Sequence, residues 1–307
     1  MTVIRHSNRI RMDRSSRIYT AIIYILITIV TLIVAYPLYF CVVASFSDPD
    51  AVVMGDTVFW FKGFTTEAYT TILKETILLT GYKNAFIYMI VGTSYNMALT
   101  IPAAYVLSKK RLPGHKALLW YFFLTMYISG GLIPTYVWYK QLGLVDNPWV
   151  MMIGTGVSAY NMIVARQFFM TSIPESLYEA AEIDGASELR KFFAIALPLS
   201  KPILAVIMLY YAFAKWNSYY TALIYLRSQK YWPLQLALRQ ILIANENAVN
   251  EMVTVNASEA DYLLKKMYMV RAMKFAIIVV SSVPMLILYP FVQKYFAKGV
   301  MIGSVKE

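Results

Sequence analysis

Long stretches without a charged side chain constrain this chain more than any other feature of its sequence. A helix needs about 20 predominantly apolar residues to cross roughly 30 Å of hydrocarbon. Several stretches of that length contain no Asp, Glu, Lys or Arg, and a further one contains only Lys215. The predicted spans are 18–47, 84–108, 117–139, 147–165, 202–226 and 275–293. The sequence therefore predicts an all-α, multi-pass membrane protein with six transmembrane helices.

The overall composition agrees with a protein whose solvent is lipid. Hydrophobic residues make up 59% of the chain and charged residues only 15%, against about 45–50% and roughly 25% in soluble domains. The basic segment 1–17 and the apolar run after it resemble a signal peptide, but that run far exceeds the roughly 7–15 apolar residues of one. We therefore predict an uncleaved first helix. Two histidines and the single cysteine, Cys41, are too few for a His/Cys metal cluster, so no metal site is predicted.

The distribution of charge predicts the orientation of the chain. Loops on one side of the predicted membrane contain 16 Lys/Arg and 7 Asp/Glu, and those on the other side contain 11 and 10. By the positive-inside rule, the more basic side, which includes both termini, faces the cytoplasm. The net charge of +11 is explained by this topology and by contact with anionic lipids, so no nucleic-acid partner is predicted. The predicted organisation is a cytoplasmic basic segment at 1–17, a transmembrane domain at 18–296 with a cytoplasmic loop at 171–201 and an outer loop at 227–272, and a cytoplasmic tail at 297–307.

The 171–201 loop carries a distinctive pattern. Ser172 and Glu175 can form a capping box, Asp184-Gly185 is a stop and turn, and Ser187 can cap a second short helix. Small residues at and before the turn leave a slim surface on which another protein can pack. They are Ala180, Ala181, Gly185 and Ala186. On helix pattern alone, a solvated amphipathic connector is the alternative.

This loop resembles the EAA loop of binding-protein-dependent ABC importer permeases. The family pattern is Glu-Ala-Ala-x-x-Asp-Gly-Ala, then a spacer, then Leu-Pro-x-x-x-Pro. The chain matches it at Glu179, Ala180, Ala181, Asp184, Gly185, Ala186, Leu197, Pro198 and Pro202. Trp232-Pro-Leu-Gln and the ending Lys298-Gly-Val-Met-Ile-Gly-Ser-Val-Lys-Glu resemble the carbohydrate branch, in particular permeases for complex oligosaccharides and polysaccharide fragments. That branch usually ends in Gly, where this chain has Glu307.

The resemblance implies a fold, a function and partners. The fold would be the six-helix type I ABC importer (MetI-like) permease fold, and the chain would form half of the translocation path of an ATP-driven carbohydrate importer in a bacterial plasma membrane. Its partners would be a second permease subunit, usually a different chain, a cytoplasmic ABC ATPase dimer and an extracytoplasmic sugar-binding protein. Residues 179–187 would form the coupling helix that docks in the ATPase, with Glu179 meeting a basic group and Gly185 permitting a sharp turn. The coupling residues would be Glu179, Ala180, Ala181, Asp184, Gly185, Ala186 and Ser187.

The chain itself is not predicted to be an enzyme. It contains no G-x-x-x-x-G-K-[ST] phosphate loop, so it would hold no cofactor, and ATP and Mg²⁺ would be bound by the partner ATPase. A self-sufficient secondary transporter is the alternative function, but the predicted spans lack the carboxylates that such proteins use to carry protons or sodium. An intramembrane enzyme is disfavoured because no catalytic constellation appears in the spans.

Lys215 is the one ionisable residue deep in a predicted span, which makes it a candidate for the substrate path. Tyr211 and Tyr219, four residues to either side, would share its helix face, and Asn217 follows closely. Aromatic rings and amide or ammonium donors suit sugars with hydroxyl or carboxylate groups. Alternatively, Lys215 snorkels or pairs at a subunit interface, and an asparagine in a span more often joins helices. The candidate set is Lys215, Asn217, Tyr211, Tyr219, Tyr160 and Asn161.

The 227–272 loop is long for a connection between two helices and is predicted to contain structure. Its composition predicts a helix over 233–244, and a capping box at Ser258 and Asp261 predicts a second helix that continues into the sixth span. On the outer face, this loop would either contact the sugar-binding protein or cover the pore as a lid, and helix patterns leave both interpretations open.

Overall fold

The computed structural model describes residues 13–253 and 260–304. Within these residues all regular secondary structure is helical, which confirms the prediction of an all-α chain. The helices are α1 Arg14–Ser45, α2 Pro49–Val53, α3 Glu67–Leu73, α4 Thr76–Ser108, α5 His115–Leu124, α6 Leu132–Gln141, α7 Trp149–Ile153, α8 Ala159–Ser172, α9 Glu175–Ile183, α10 Glu188–Lys191, α11 Leu197–Leu199, α12 Lys201–Trp216, α13 Tyr219–Tyr225, α14 Leu234–Val253 and α15 Ala260–Ser304. A π-helical turn, Phe192–Ala196, joins α10 to α11.

Among the described residues, the helices that are long and apolar enough to cross a membrane are Ser15–Ser45, Thr76–Ser108 and Met267–Pro290. They correspond to the first, second and sixth predicted spans. A fourth candidate is the pair Glu188–Leu199 and Lys201–Trp216, whose two arms are bent by 83°. The count of six crossings stays a prediction.

The structure divides the other predicted spans, each of which the sequence analysis treated as one helix. The third is interrupted between α5 and α6, where Gly131 adopts a φ of 82° that side chains disfavour. The fourth is interrupted between α7 and α8 at 154–158, and the fifth between α12 and α13 at Asn217 and Ser218. Apolar composition predicts burial in lipid, but it does not report whether a helix is continuous.

The chain divides into two compact units, Met1–Tyr69 with Asn256–Val279 and Thr70–Val255 with Val280–Glu307. In the larger unit, α4 is the central helix and packs against α7, α8, α12 and α14. Small residues on α4, such as Gly81, Ala85 and Gly92, are buried and allow these helices to approach closely. In the smaller unit, the carboxyl end of α1 is buried at Val43, Ala44 and Ser45.

The 227–272 loop contains the predicted helices. The helix expected over 233–244 is confirmed as α14, and the expected continuation into the sixth span is confirmed by the unbroken α15, whereas Ser258 lies outside the described residues. The segment before α14 is fixed to α4 because Asn84 Nδ2 donates to the Lys230 and Trp232 carbonyls at 2.8 and 3.0 Å. The Tyr88 hydroxyl donates a hydrogen bond to the Tyr231 carbonyl at 2.8 Å.

The contact between α4 and α14 leaves little room for a side chain at Gly81. A Cβ there would lie 3.1 Å from Ala237 Cβ and 3.2 Å from Leu234 Cα. We expect Gly81→Val to force the helices apart and to lower the free energy of unfolding by about 1–3 kcal/mol, measured as a lower melting temperature in detergent. Gly130→Val is the matched control, since a Cβ there meets only Pro134 Cβ, at 3.9 Å. Equal melting temperatures for the two variants would contradict the close packing.

Candidate functional site

The 171–201 loop forms two helical arms joined by a tight turn. The first arm, α9, ends at a turn in which Gly185 has a φ of 73°, so the predicted stop and turn are confirmed. The predicted cap of the second arm is also confirmed, because Ser187 Oγ accepts a hydrogen bond from the Arg190 amide at 3.3 Å. The predicted capping box at Ser172 and Glu175 is wrong, because α8 extends through Ser172 and Pro174 occupies the N-cap position of α9.

The tip of this loop is open to solvent. Of the predicted coupling residues, Glu179, Ala180, Asp184, Gly185 and Ser187 are exposed, and Ala181 and Ala186 are half-buried. Three large apolar side chains in the same loop, which the motif does not point to, are also exposed. They are Ile183, which is 88% exposed, Leu189 at 71% and Phe193 at 64%. Apolar side chains this exposed around a polar motif are typical of a surface that another protein covers.

A cluster of aromatic and charged side chains attaches the loop to the end of α4. Lys109 Nζ lies 3.1 Å from the centroid of the Tyr178 ring and 5.0 Å from that of Tyr105. The Tyr105 hydroxyl donates to Glu188 Oε2 at 3.2 Å, and Lys191 Nζ donates to Glu188 Oε1 at 2.8 Å. We name these five residues the α4 anchor. The sequence does not reveal this cluster, because its members lie far apart in the chain and the charge of Lys109 is already accounted for by membrane topology.

The charges of the α4 anchor are compatible with one another at neutral pH. The hydrogen bond from Lys191 holds the pKa of Glu188 below its ordinary value, and burial raises the pKa of Tyr178 to about 12. Burial lowers the pKa of Lys109. Because the pKa of Glu188 is depressed, its contribution to stability is present above the ordinary carboxyl pKa and is lost as the pH falls through the folded-state value.

Removing the Lys109 charge is expected to loosen the first arm of the loop. A Lys109→Met variant keeps the length of the side chain but loses a cation–π contact worth about 1 kcal/mol. We expect the backbone amides of α9 to exchange hydrogen about fivefold faster in this variant, measured by mass spectrometry. Lys110→Met is the matched control because Lys110 is exposed. Identical exchange in both variants would show that Lys109 does not hold the arm.

The break in the fourth predicted span is surrounded by polar side chains that satisfy its backbone. Lys215 Nζ donates to the Met151 and Met152 carbonyls at 2.9 and 3.1 Å. Asn96 Nδ2 donates to the Thr155 and Gly156 carbonyls, and the Tyr139 hydroxyl donates to that of Gly154. The Tyr211 hydroxyl accepts from the Ser158 amide at 3.0 Å. These side chains come from α4, α6 and α12, so the break joins three other helices.

The surroundings of Lys215 favour a structural role for this residue over a role in the substrate path. Lys215 is 8% exposed, and its ammonium lies at the carboxyl end of α7, where free carbonyls and the helix dipole favour a cation. Gly92 gives it room, since a Cβ there would lie 2.9 Å from Lys215 Cε. Tyr211 is also buried, at 5% exposure, and its hydroxyl lies 2.6 Å from Thr100 Oγ1.

Two cavities lie next to this break. The smaller, of about 390 Å³, is lined by Lys215 and Tyr211 together with Asn161 and Asn217. The larger, of about 950 Å³, is lined by side chains of α8, α12, α14 and α15. Of the candidate set, Tyr160, Asn161 and Asn217 line the larger cavity. Its further polar and aromatic lining residues, none of which the sequence singles out, are Tyr210, Phe213, Trp216, Gln235, Ser281, Ser282 and Tyr289.

Tyr219 lines neither of these two cavities, unlike the other members of the candidate set. The prediction that it shares the helix face of Lys215 is wrong, because α12 ends at Trp216 and Tyr219 begins a new helix. Its hydroxyl instead accepts a hydrogen bond from Arg239 Nη1, and the guanidinium carbon lies 4.8 Å from the centre of its ring.

Substitutions at Lys215 and Gly92 are expected to have the same effect. Lys215→Met leaves two buried carbonyls without their donor, and Gly92→Ala displaces the amine from them. Each change is expected to lower the free energy of unfolding by about 1–3 kcal/mol, measured by thermal unfolding in detergent. The double variant should be scarcely less stable than either single variant, because both act on one interaction. Fully additive losses would contradict this.

Comparisons with known proteins place this geometry in a family. Residues 76–302 match the family described as binding-protein-dependent transport system inner membrane component. The chain is 36% identical to the polygalacturonan/rhamnogalacturonan transport system permease protein YtcP of Bacillus subtilis, covering 95% of this chain and 99% of that protein. It is 35% identical to Protein LplC of the same organism, covering 88% of each.

A solved structure agrees with these matches. The chain resembles a bacterial ABC transporter involved in the import of the acidic polysaccharide alginate, with a TM-score of 0.79, 33% identity and coverage of 93% of this chain and 99% of the other. The matched family is a permease component of ABC importers, which is not itself catalytic, and this membership argues against the alternative of a self-sufficient secondary transporter. The chain therefore belongs to the binding-protein-dependent transport system inner membrane components and is a multi-pass permease subunit of an ABC importer.

Proposed function

We propose that this permease forms half of the translocation path of a bacterial importer for oligosaccharides or polysaccharide fragments. Its similarity to a polygalacturonan/rhamnogalacturonan permease and to an alginate importer supports a carbohydrate substrate. The observation that carries the proposal is the exposed tip of the 171–201 loop, which presents the family motif together with uncovered apolar side chains.

This tip is proposed to dock on a cytoplasmic ABC ATPase. Ile183 and Leu189 supply apolar area that leaves water on docking, and the exposed Glu179 is available for a basic group of the partner. ATP and Mg²⁺ are bound by the ATPase dimer, whose closure moves the loop. The α4 anchor passes that movement to α4, since Lys109 and Tyr105 lie at its carboxyl end.

The larger cavity is proposed to be this chain's share of the sugar path. Aromatic rings such as Tyr160 and Tyr210 offer flat apolar faces to sugar rings, and Asn161, Asn217 and Gln235 offer amide groups to hydroxyls. None of the described residues that line it is ionised, so it suits neutral portions of a saccharide. Lys215 and Tyr211 shape the neighbouring smaller cavity.

The remaining assignments follow the importer architecture. We propose a plasma-membrane location with both termini in the cytoplasm, supported by the excess of Lys and Arg in the loops on that side. The second permease subunit is proposed to be a different chain. An extracytoplasmic sugar-binding protein is proposed to deliver the substrate on the face that carries the 227–272 loop.

Charge reversal at the tip tests the coupling assignment. Glu179→Lys and Gly185→Arg are expected to leave membrane insertion intact and to abolish uptake of a labelled oligogalacturonide into vesicles that contain the assembled importer and ATP. The reasons are the reversed charge at the docking surface and, for Gly185, a side chain forced into a φ of 73°.

Glu175→Lys is the matched control, since Glu175 is also exposed on α9 but lies at its start, away from the tip. It is expected to retain most of the uptake. Normal uptake by both tip variants would remove the coupling assignment, and uptake of maltodextrin in preference to oligogalacturonide would redirect the substrate class.

A further inference from the structure

An exposed aromatic loop lies just beyond α1 in the smaller unit. Its side chains are large and open to their surroundings: Val58 is 42% exposed, Phe59 74%, Trp60 64% and Phe61 36%. A pair of opposite charges closes the loop, because Lys62 Nζ lies 3.3 Å from Asp56 Oδ2. Four consecutive exposed apolar residues in a loop are unusual and require an environment other than water.

This loop is folded back along α1 rather than extended away from it. The Tyr36 hydroxyl donates to the Val58 carbonyl at 3.2 Å, and the Tyr39 hydroxyl donates to the Phe59 carbonyl. The rings of Tyr36 and Phe59 are 6.2 Å apart. The loop therefore lies beside Tyr36 and Tyr39, and not beyond the end of the helix.

Two backbone hydrogen bonds fix the base of the loop. The Asp48 amide donates to the Lys62 carbonyl at 2.9 Å, and the Thr65 amide donates to the Phe46 carbonyl at 3.0 Å. Between them, Gly63 adopts a φ of 60°, and a Cβ there would lie 2.9 Å from Asp48 Cβ. The fold of the loop is thus specified by its own backbone.

The length of α1 places the boundary of the membrane near Tyr36 and Tyr39, where the loop contacts the helix. Its 32 residues are about 48 Å long, whereas the hydrocarbon is about 30 Å thick. A span that starts at Ile18, after the last arginine of the basic segment, uses about 20 residues and ends near Pro37. Large apolar side chains of α1 are exposed as far as Val42, and Val43 to Ser45, which follow, are buried.

We propose that residues 58–61 are an interfacial anchor that inserts its aromatic side chains into the headgroup region of the leaflet at the carboxyl end of α1. Trp, Tyr and Phe are favoured at this depth because an apolar ring lies against acyl chains while polar groups stay hydrated. We take lipid as the occupant because the loop continues the exposed apolar surface of α1 at the level where a span of about 20 residues ends. The anchor fixes the height of α1 in the bilayer.

Depth-dependent quenching tests this anchor. Cys41 is the only cysteine, so Cys41→Ala combined with Phe59→Cys allows one environment-sensitive fluorophore to be attached. The full-length chain is reconstituted, with the subunits that copurify with it, into phosphatidylethanolamine/phosphatidylglycerol vesicles that contain a lipid with a nitroxide high on its acyl chain. Met54→Cys in the same background is the matched control, since Met54 is 70% exposed but has no hydrogen bond to α1 side chains among those described.

The fluorophore at position 59 is expected to be quenched by the nitroxide lipid at least about twofold more than that at position 54, and less by a water-soluble paramagnetic ion. Trp60→Cys repeats the measurement at the next exposed ring in case Phe59→Cys does not fold. Equal lipid quenching at 59 and 54 would overturn the proposal. Protection of position 59 from both quenchers would also overturn it, because a protein partner would then cover the loop.

Discussion

Each break of a helix inside an apolar span exposes backbone groups that lipid cannot satisfy, and the rest of this structure depends on how the fourth span solves that problem. Lys215, Asn96 and Tyr139 donate to the carbonyls released at 151–156, and Tyr211 accepts from the amide that starts α8. These donors reach in from three other helices. The break therefore joins these helices within the larger unit, and the buried Lys215 has a structural role there.

The cavities and the 171–201 loop are connected through the same two helices. α8 begins at the break and ends at the loop, and α4 contributes Asn96 at the first site and Lys109 at the second. Over its 14 residues α8 spans about 20 Å. Because α4 and α8 are each continuous between the two sites, a movement of the loop that is transmitted through the α4 anchor can reach the cavity along them.

The sequence predicts several helix boundaries where the signal is local, although the equally local capping box at Ser172 and Glu175 is wrong. The turn at Gly185, the cap at Ser187 and the helix over 233–244 depend on neighbouring residues, and the structure confirms all three. The breaks and the partners of Lys215 depend on residues far apart in the chain, such as Gly92 and Met151, which no periodicity brings together. For the same reason the sequence places Tyr219 on a helix that ends at Trp216 in the structure, and it does not connect Lys109 with Tyr178.

The satisfied break also restricts how the permease can move. Unwinding it further would leave the Lys215 ammonium and several carbonyls unpaired in an apolar medium, at a cost of several kcal/mol. A rigid-body rotation of α4, α6, α7, α8 and α12 together keeps all of these hydrogen bonds and requires only that the exposed faces of this helix group slide past their surroundings. The polar side chains at the break thus favour alternating access by movement of the whole helix group over any local rearrangement at the cavity.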